Sequence, residues 1–248
     1  MKKITLPQFI ISIVLFVVFI AHAPIAHAII YRHDVDPARF LQPDGAYPTV
    51  FDVFAGNGVA TLIAPQWAIT AAHVAHGIPQ DEGFAVVIQG KSYEVLDVII
   101  HPEWFDNRLD FDVALFKLAE PVAGISPTPL YRNQNEAGKV ATIVGRGDSG
   151  TGETGATERD GLLRTVTNRV DFVERDKRLV FRFDEPDFIG ATELEGVGGP
   201  GDSGGPALIE VDGVEYIAGI SAFSAEEGDQ LPGTYGTFDI YMRVSNHT

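Results

Sequence analysis

The sequence is broken into short runs of β-branched and aromatic residues, and this constrains the fold more than anything else in it. Phe84–Ile88, Tyr93–Ile100, Val113–Leu118, Lys139–Gly145, Leu179–Phe183 and Glu215–Ser221 are each five to eight residues long, with turn-forming residues between them. Runs of that length are too short for helices that bury a face and match strands, and strands at this spacing build sandwiches or barrels, not βαβ units. The 26 glycines and 15 prolines supply the turns. We therefore expect an all-β protein. A Pro-containing stretch, Ala119–Pro129, reads as a connection between two halves, residues 29–120 and 121–248, each near the ~100 residues of a typical domain. The Gly-rich stretch Gly145–Gly161 lacks the Gly-Lys-Ser/Thr ending of a phosphate-binding loop and reads as a long surface loop.

Composition narrows the chemistry. With 45% hydrophobic residues the chain can bury a core, and its formal net charge of −16, with no basic run to offset it, argues against a nucleic-acid partner. There is no cysteine, so disulfides, thiolate nucleophiles and Cys-ligated metals are excluded, and any nucleophile is an oxygen or an amine. Residues 1–28 read as a secretory signal: Lys2 and Lys3, then the 12-residue apolar stretch Phe9–Ile20, then Ala26-His27-Ala28 as an A-x-A cleavage site. The apolar run falls short of the ~20 residues that cross a bilayer. Cleavage would leave 220 residues starting at Ile29, with a charge of −18, secreted or periplasmic and with no membrane attachment.

Three segments carry chemistry. Gly58–His73 (GVATLIAPQWAITAAH) is a strand, a Pro-Gln turn, a second strand and a small-residue turn that delivers a histidine. Asp110–Leu118 (DFDVALFKL) opens a strand with two carboxylates, and Pro200–Pro206 (PGDSGGP) sets a serine in a Gly-dense turn. Each alone has a bland reading: a structural histidine, a turn or capping aspartate, a loop serine. Together they supply what acyl transfer requires. A serine hydroxyl needs an imidazole to take its proton, and a buried carboxylate fixes the tautomer of that imidazole and supports its charge. Two backbone N–H groups stabilise the oxyanion by roughly 3–4 kcal/mol per donor. Glycine lets the backbone approach closely, and Gly201 and Ser203 are the expected donors.

TAAH at 70–73, DVAL at 112–115 and GDSGGP at 201–206, in that order, resemble the signature segments of the chymotrypsin/trypsin family of serine proteases. His101-Pro102, Gly145-Arg146-Gly147 and Tyr241–Ser245 are similar to further family positions, so the likeness covers nearly all of the chain after residue 28. The resemblance implies two six-stranded antiparallel β-barrels with the active site in the cleft between them, His73 and Asp112 on the first barrel and Ser203 on the second. It makes His73 the general base and acid, Asp112 its orienting carboxylate and Ser203 the nucleophile, with Asp110 the competing carboxylate. His73 and His76 invite a metal reading, but they lack the HExxH spacing, so no metal or cofactor is expected. The expected partner is a protein or peptide substrate, and the expected state is a monomer.

The resemblance also implies activation by a new aliphatic N-terminus that pairs with the aspartate before the serine. Here that pair would be Ile29 and Asp202, so export and activation would be one step. The primary pocket should be set by Val197, with Phe223 at its lip. One wall position stays open: one alignment puts Asp239 in the pocket and favours a basic side chain, the other puts Gly233 there and favours an apolar one. Two features depart from the family pattern. Ser221 and Ala222 do not align cleanly with the serine expected near Asp112, and the chain stops at Thr248, before the usual C-terminal helix. A catalytically silent binding module is the alternative function. An esterase is permitted by the same triad, but the strand–turn–helix setting of a nucleophile elbow is missing around Gly201–Gly205. Asp184–Asp187 reads as a solvated acidic loop rather than a calcium site.

Overall fold

A computed structural model describes residues 29–247 other than 55, 79–82 and 107; the signal-peptide reading of residues 1–28 lies outside the described residues. The strands are β1 (Ile29–Tyr31), β2 (Val50–Val53), β3 (Gly58–Ala64), β4 (Trp67–Thr70), β5 (Phe84–Ile88), β6 (Lys91–Ile100), β7 (Ala114–Leu118) and β8 (Val140–Gly145). They continue with β9 (Ser149–Thr151), β10 (Gly155–Glu158), β11 (Arg164–Glu174), β12 (Arg178–Arg182), β13 (Gly196–Val197), β14 (Pro206–Val211), β15 (Val214–Ala225) and β16 (Phe238–Arg243), with one short helix, α1 (Ala72–His76). The first six-stranded sheet runs β2-β3-β4-β7-β6-β5 and curls into a nearly closed barrel; the second closes fully as β11-β12-β16-β15-β14-β8. All pairings within both are antiparallel.

Period-2 alternation explains how the barrels meet. On β16, Ile240 and Met242 face a core shared with the first barrel, while Tyr241 joins Leu179, Phe181, Ile143 and Val166 inside the second. On β12, Val180 faces the first core, with Leu179 and Phe181 in the second. Strands buried on both faces read as unbroken apolar runs, as these do. Burial of this kind stabilises by roughly 25 cal/mol per Å² of apolar surface, and here it acts without a cross-link.

Two arrangements were not foreseen. The stretch expected to be a surface loop holds β9 and β10, paired with each other, and Ser149 is buried. β1 belongs by sequence to the first half but lies in a sheet with strands of the second, parallel to β9 and antiparallel to β13.

Candidate active site

His73 reaches the cleft through small residues. β4 ends at Thr70, and Ala71 and Ala72, both without exposed surface, let α1 turn immediately against the barrel. The backbone N–H of His73 donates to Asp112 Oδ1 at 2.8 Å, and Nδ1 lies 2.6 Å from Oδ2. Two contacts from one residue fix both the position and the plane of the ring. The aspartate side chain is 6% exposed and the histidine 38%, so the carboxylate is shielded while the outer ring edge opens to the cleft. His76, one turn on, packs its ring on Trp104 and Phe105 at 5.3 and 6.0 Å. Asp110, the competing carboxylate, pairs instead with Arg178.

The turn carrying Ser203 is pinned against the residues that launch α1. Val59 N–H donates to the Ser203 carbonyl at 2.8 Å, which joins the nucleophile segment to β3 of the other barrel. Gly204 has φ +82°, and a Cβ there would fall 2.2 Å from Thr70 Oγ1 and 2.9 Å from Ala71 N. Only glycine allows that approach. Within the turn, the N–H groups of Asp202, Gly204 and Gly205 are used by the carbonyls of Gly199, Ser221 and Asp202. Among the described residues, those of Gly201 and Ser203 have no acceptor. Two donors without an acceptor among the described residues therefore lie at the serine in an otherwise satisfied backbone.

Asp202 is 1% exposed and accepts from Ile29 N at 3.2 Å, Gly147 N at 2.7 Å and Gly199 N at 2.9 Å. Burial pushes its carboxyl up to about 6 despite these bonds. Gly145 and Gly147 bracket Arg146 for a steric reason. A Cβ at the first would meet Asp202 Oδ1 at 2.1 Å, and one at the second would meet Pro200 O at 2.4 Å. Arg146 itself faces outward to Gly161 O at 3.0 Å and Asp44 at 3.2 Å. The sequence reading missed Gly147 and Gly199 as donors to Asp202; only the density of glycine hinted at them.

A cavity of about 140 Å³ opens beside Ser203, lined by Val197, Phe223, Ile30, Gly233 and Asp239 among others. Asp239 and Gly233, the alternatives left open by the sequence, both line this cavity, from β16 and from the preceding loop. Gly233 (φ +74°) packs flat on Ile30, where a Cβ would fall 2.1 Å from Cδ1. Asp239 is 5% exposed, accepts from Gly198 N at 2.8 Å, and is pushed up to about 7, first by burial and then by the nearby Asp202 charge. Ser221 lines the cavity opposite Tyr241 on the neighbouring strand; among the described residues it is not a partner of Asp112. In the acidic loop, Asp184 is buried and pairs with Arg182 at 3.2 Å.

Comparison with known proteins points to a family. The family model described as Trypsin matches residues 42–246. An "Uncharacterized peptidase" of Corynebacterium glutamicum (strain R) is 30% identical over 194 residues, 75% of this chain and 60% of that protein. A "Trypsin" of Simulium vittatum is 31% identical over 114 residues, 43% of this chain and 45% of its own length. "Complement C1s subcomponent" of Sus scrofa is 29% identical over 217 residues, 75% of this chain and 30% of its own. The chain thus spans less than two thirds of the length of each of these relatives. With the family model reaching from before the first barrel to the end of the second, and with both barrels and their order in place, the chain belongs to the trypsin family of serine proteases.

Proposed function

We propose that the protein is a secreted serine endopeptidase that cleaves peptide bonds through an acyl-enzyme, with residues 29–120 and 121–248 each supplying one wall of the cleft. The observation that carries this reading is the pair of unused N–H groups at Gly201 and Ser203, set in a turn packed against the helix whose His73 is already oriented by Asp112. His73 takes the Ser203 hydroxyl proton as Oγ attacks the carbonyl carbon, the oxyanion is held by the two N–H groups, and the same proton passes to the leaving amine. Water then repeats the sequence on the ester. A binding module freed from catalysis would have no need of this geometry.

Processing after Ala28 would free the amine of Ile29 to pair with Asp202. Two features support that step. Ile29 has no exposed surface and its nitrogen already meets the carboxylate. Its φ of +68° is strained for a β-branched residue, and the strain exists only while a peptide bond precedes it. In the cavity, the Asp239 carboxylate favours a basic side chain on the acyl side of the scissile bond.

The test is to label a chain beginning at Ile29 with a fluorophosphonate and to profile peptide cleavage, with Ser203→Ala as control. Label on Ser203 and cleavage after Arg or Lys are expected. A folded protein that takes no label would leave the binding module as the function.

A further inference from the structure

Asp110 stands two residues before Asp112 and plays no part in the triad. Its side chain is buried and meets the guanidinium of Arg178, on β12 of the other barrel and equally buried. Lys177 Nζ lies 3.8 Å from its second oxygen and 4.0 Å over the ring of Phe111, which in turn stacks on His101 at 4.9 Å. The next residue, Asp112, is held by the two N–H groups of His73. Three consecutive side chains are thus anchored on three different elements. Arg178 extends the connection: Nη1 donates to Glu174 at 2.7 Å, and the guanidinium sits 5.5 Å from the ring centroid of Phe223 in the cavity wall.

Cohesion alone does not account for this pair. A buried ion pair is often no more stabilising than apolar side chains of the same volume, and among the described residues Arg178 Nε is buried without a hydrogen-bond partner. What the planar guanidinium adds over apolar contact is direction. We propose that Asp110 and Arg178 are a positioning pair that fixes Asp112, and through it the plane of His73, relative to Phe223 at the cavity lip across the barrel interface. The assignment rests on the triad reading above.

Three variants of the chain beginning at Ile29 test it: Asp110→Asn, Arg178→Met, and the double variant Asp110→Leu with Arg178→Met. The double variant removes the pair without stranding a buried charge, so it folds where a single variant is weakened. Active sites are counted by fluorophosphonate titration, and kcat and KM for a small amide substrate are followed against pH. In all three, kcat per titrated site should fall about tenfold or more with KM nearly unchanged, as for a misplaced group. The acidic limb of kcat/KM should be displaced relative to wild type. The double variant should regain the urea midpoint of wild type and not its kcat. Recovery of both kcat and the acidic limb in the double variant would overturn the proposal. So would single variants that lose stability and keep full turnover per site. A wild-type chain that takes no label would instead overturn the triad reading, and this proposal with it.

Discussion

Replacing Asp202 by Asn should have opposite effects in two versions of the same fold. While residue 28 is attached, the carboxylate is met by backbone N–H groups, and burial holds it at about 6 against 3.8 for the free side chain. A folded-state value raised in this way means that the native state binds the proton more tightly. Stability is therefore lost as pH rises from about 4 to about 6, and the accumulated cost at pH 7 is about 3 kcal/mol. Asparagine carries no charge to desolvate and recovers that cost. Its amide NH₂ must, however, face one of the three donors, which forfeits about 1–3 kcal/mol. The net change should lie between neutral and about 2 kcal/mol stabilising. In a chain beginning at Ile29, a buried ammonium would face the same position, and Asn would strand it at a cost of about 3–5 kcal/mol. Urea denaturation at pH 7 of both chains, with and without two residues ahead of Ile29, measures the difference. Equal effects of the substitution in the two chains, within about 1 kcal/mol, would refute the reasoning. At pH 4 the gain in the extended chain should vanish, because the aspartate is then protonated in the native state as well.

Two further outcomes follow from other buried charges. Asp239 is pushed up to about 7, so its carboxylate forms as pH rises through neutrality. The preference in kcat/KM for Arg or Lys over Leu on the acyl side should grow about tenfold between pH 6 and 8, and Asp239→Ser should flatten that rise. Glu136, with no exposed surface, accepts from Arg243 at 3.0 and 2.7 Å and from Ser245 at 2.7 Å. Burial raises its carboxyl, but these bonds outweigh that and hold it below the ordinary value, so its contribution is present above pH 4.5 and lost as pH falls. Glu136→Ala should cost about 3 kcal/mol in a urea titration at pH 7, because it leaves the buried Arg243 guanidinium with Asp176 as its remaining carboxylate partner.

The fold was legible where strands are buried on both faces, because β8, β12 and β15 then carry apolar runs that no exposed loop would keep. β11 was not among the runs read as strands, since Thr167, Asn168 and Arg169 interrupt its apolar residues, although Asn168 is buried and donates to the Arg182 and Gly196 carbonyls. β9 and β10 were hidden because glycine, which marks turns in most sequences, here permits close backbone contact; a Cβ at Gly150 would fall 1.8 Å from Gly155 O. The proposed triad positions could be named because the chemistry demands particular side chains at particular points in short motifs. The cavity wall was read as a choice between Asp239 and Gly233 because an alignment compares single positions, whereas a cavity is closed by several elements at once. The Asp110–Arg178 pair joins residues 68 apart, and nothing local in either segment marks the other as its partner.

The placement of β1 also sets a timetable. Ile29 and the aspartate it meets are 173 residues apart, and Ile30 needs Val197 as its strand partner. The earliest residues of the described fold therefore cannot complete their docking until the last third of the chain has been made and its barrel has closed. Contacts of such long range form slowly, because the whole intervening loop must be ordered first. On the proposed function, cleavage competence would then be the final event in the birth of the molecule, and a half-made chain would be unable to digest its neighbours.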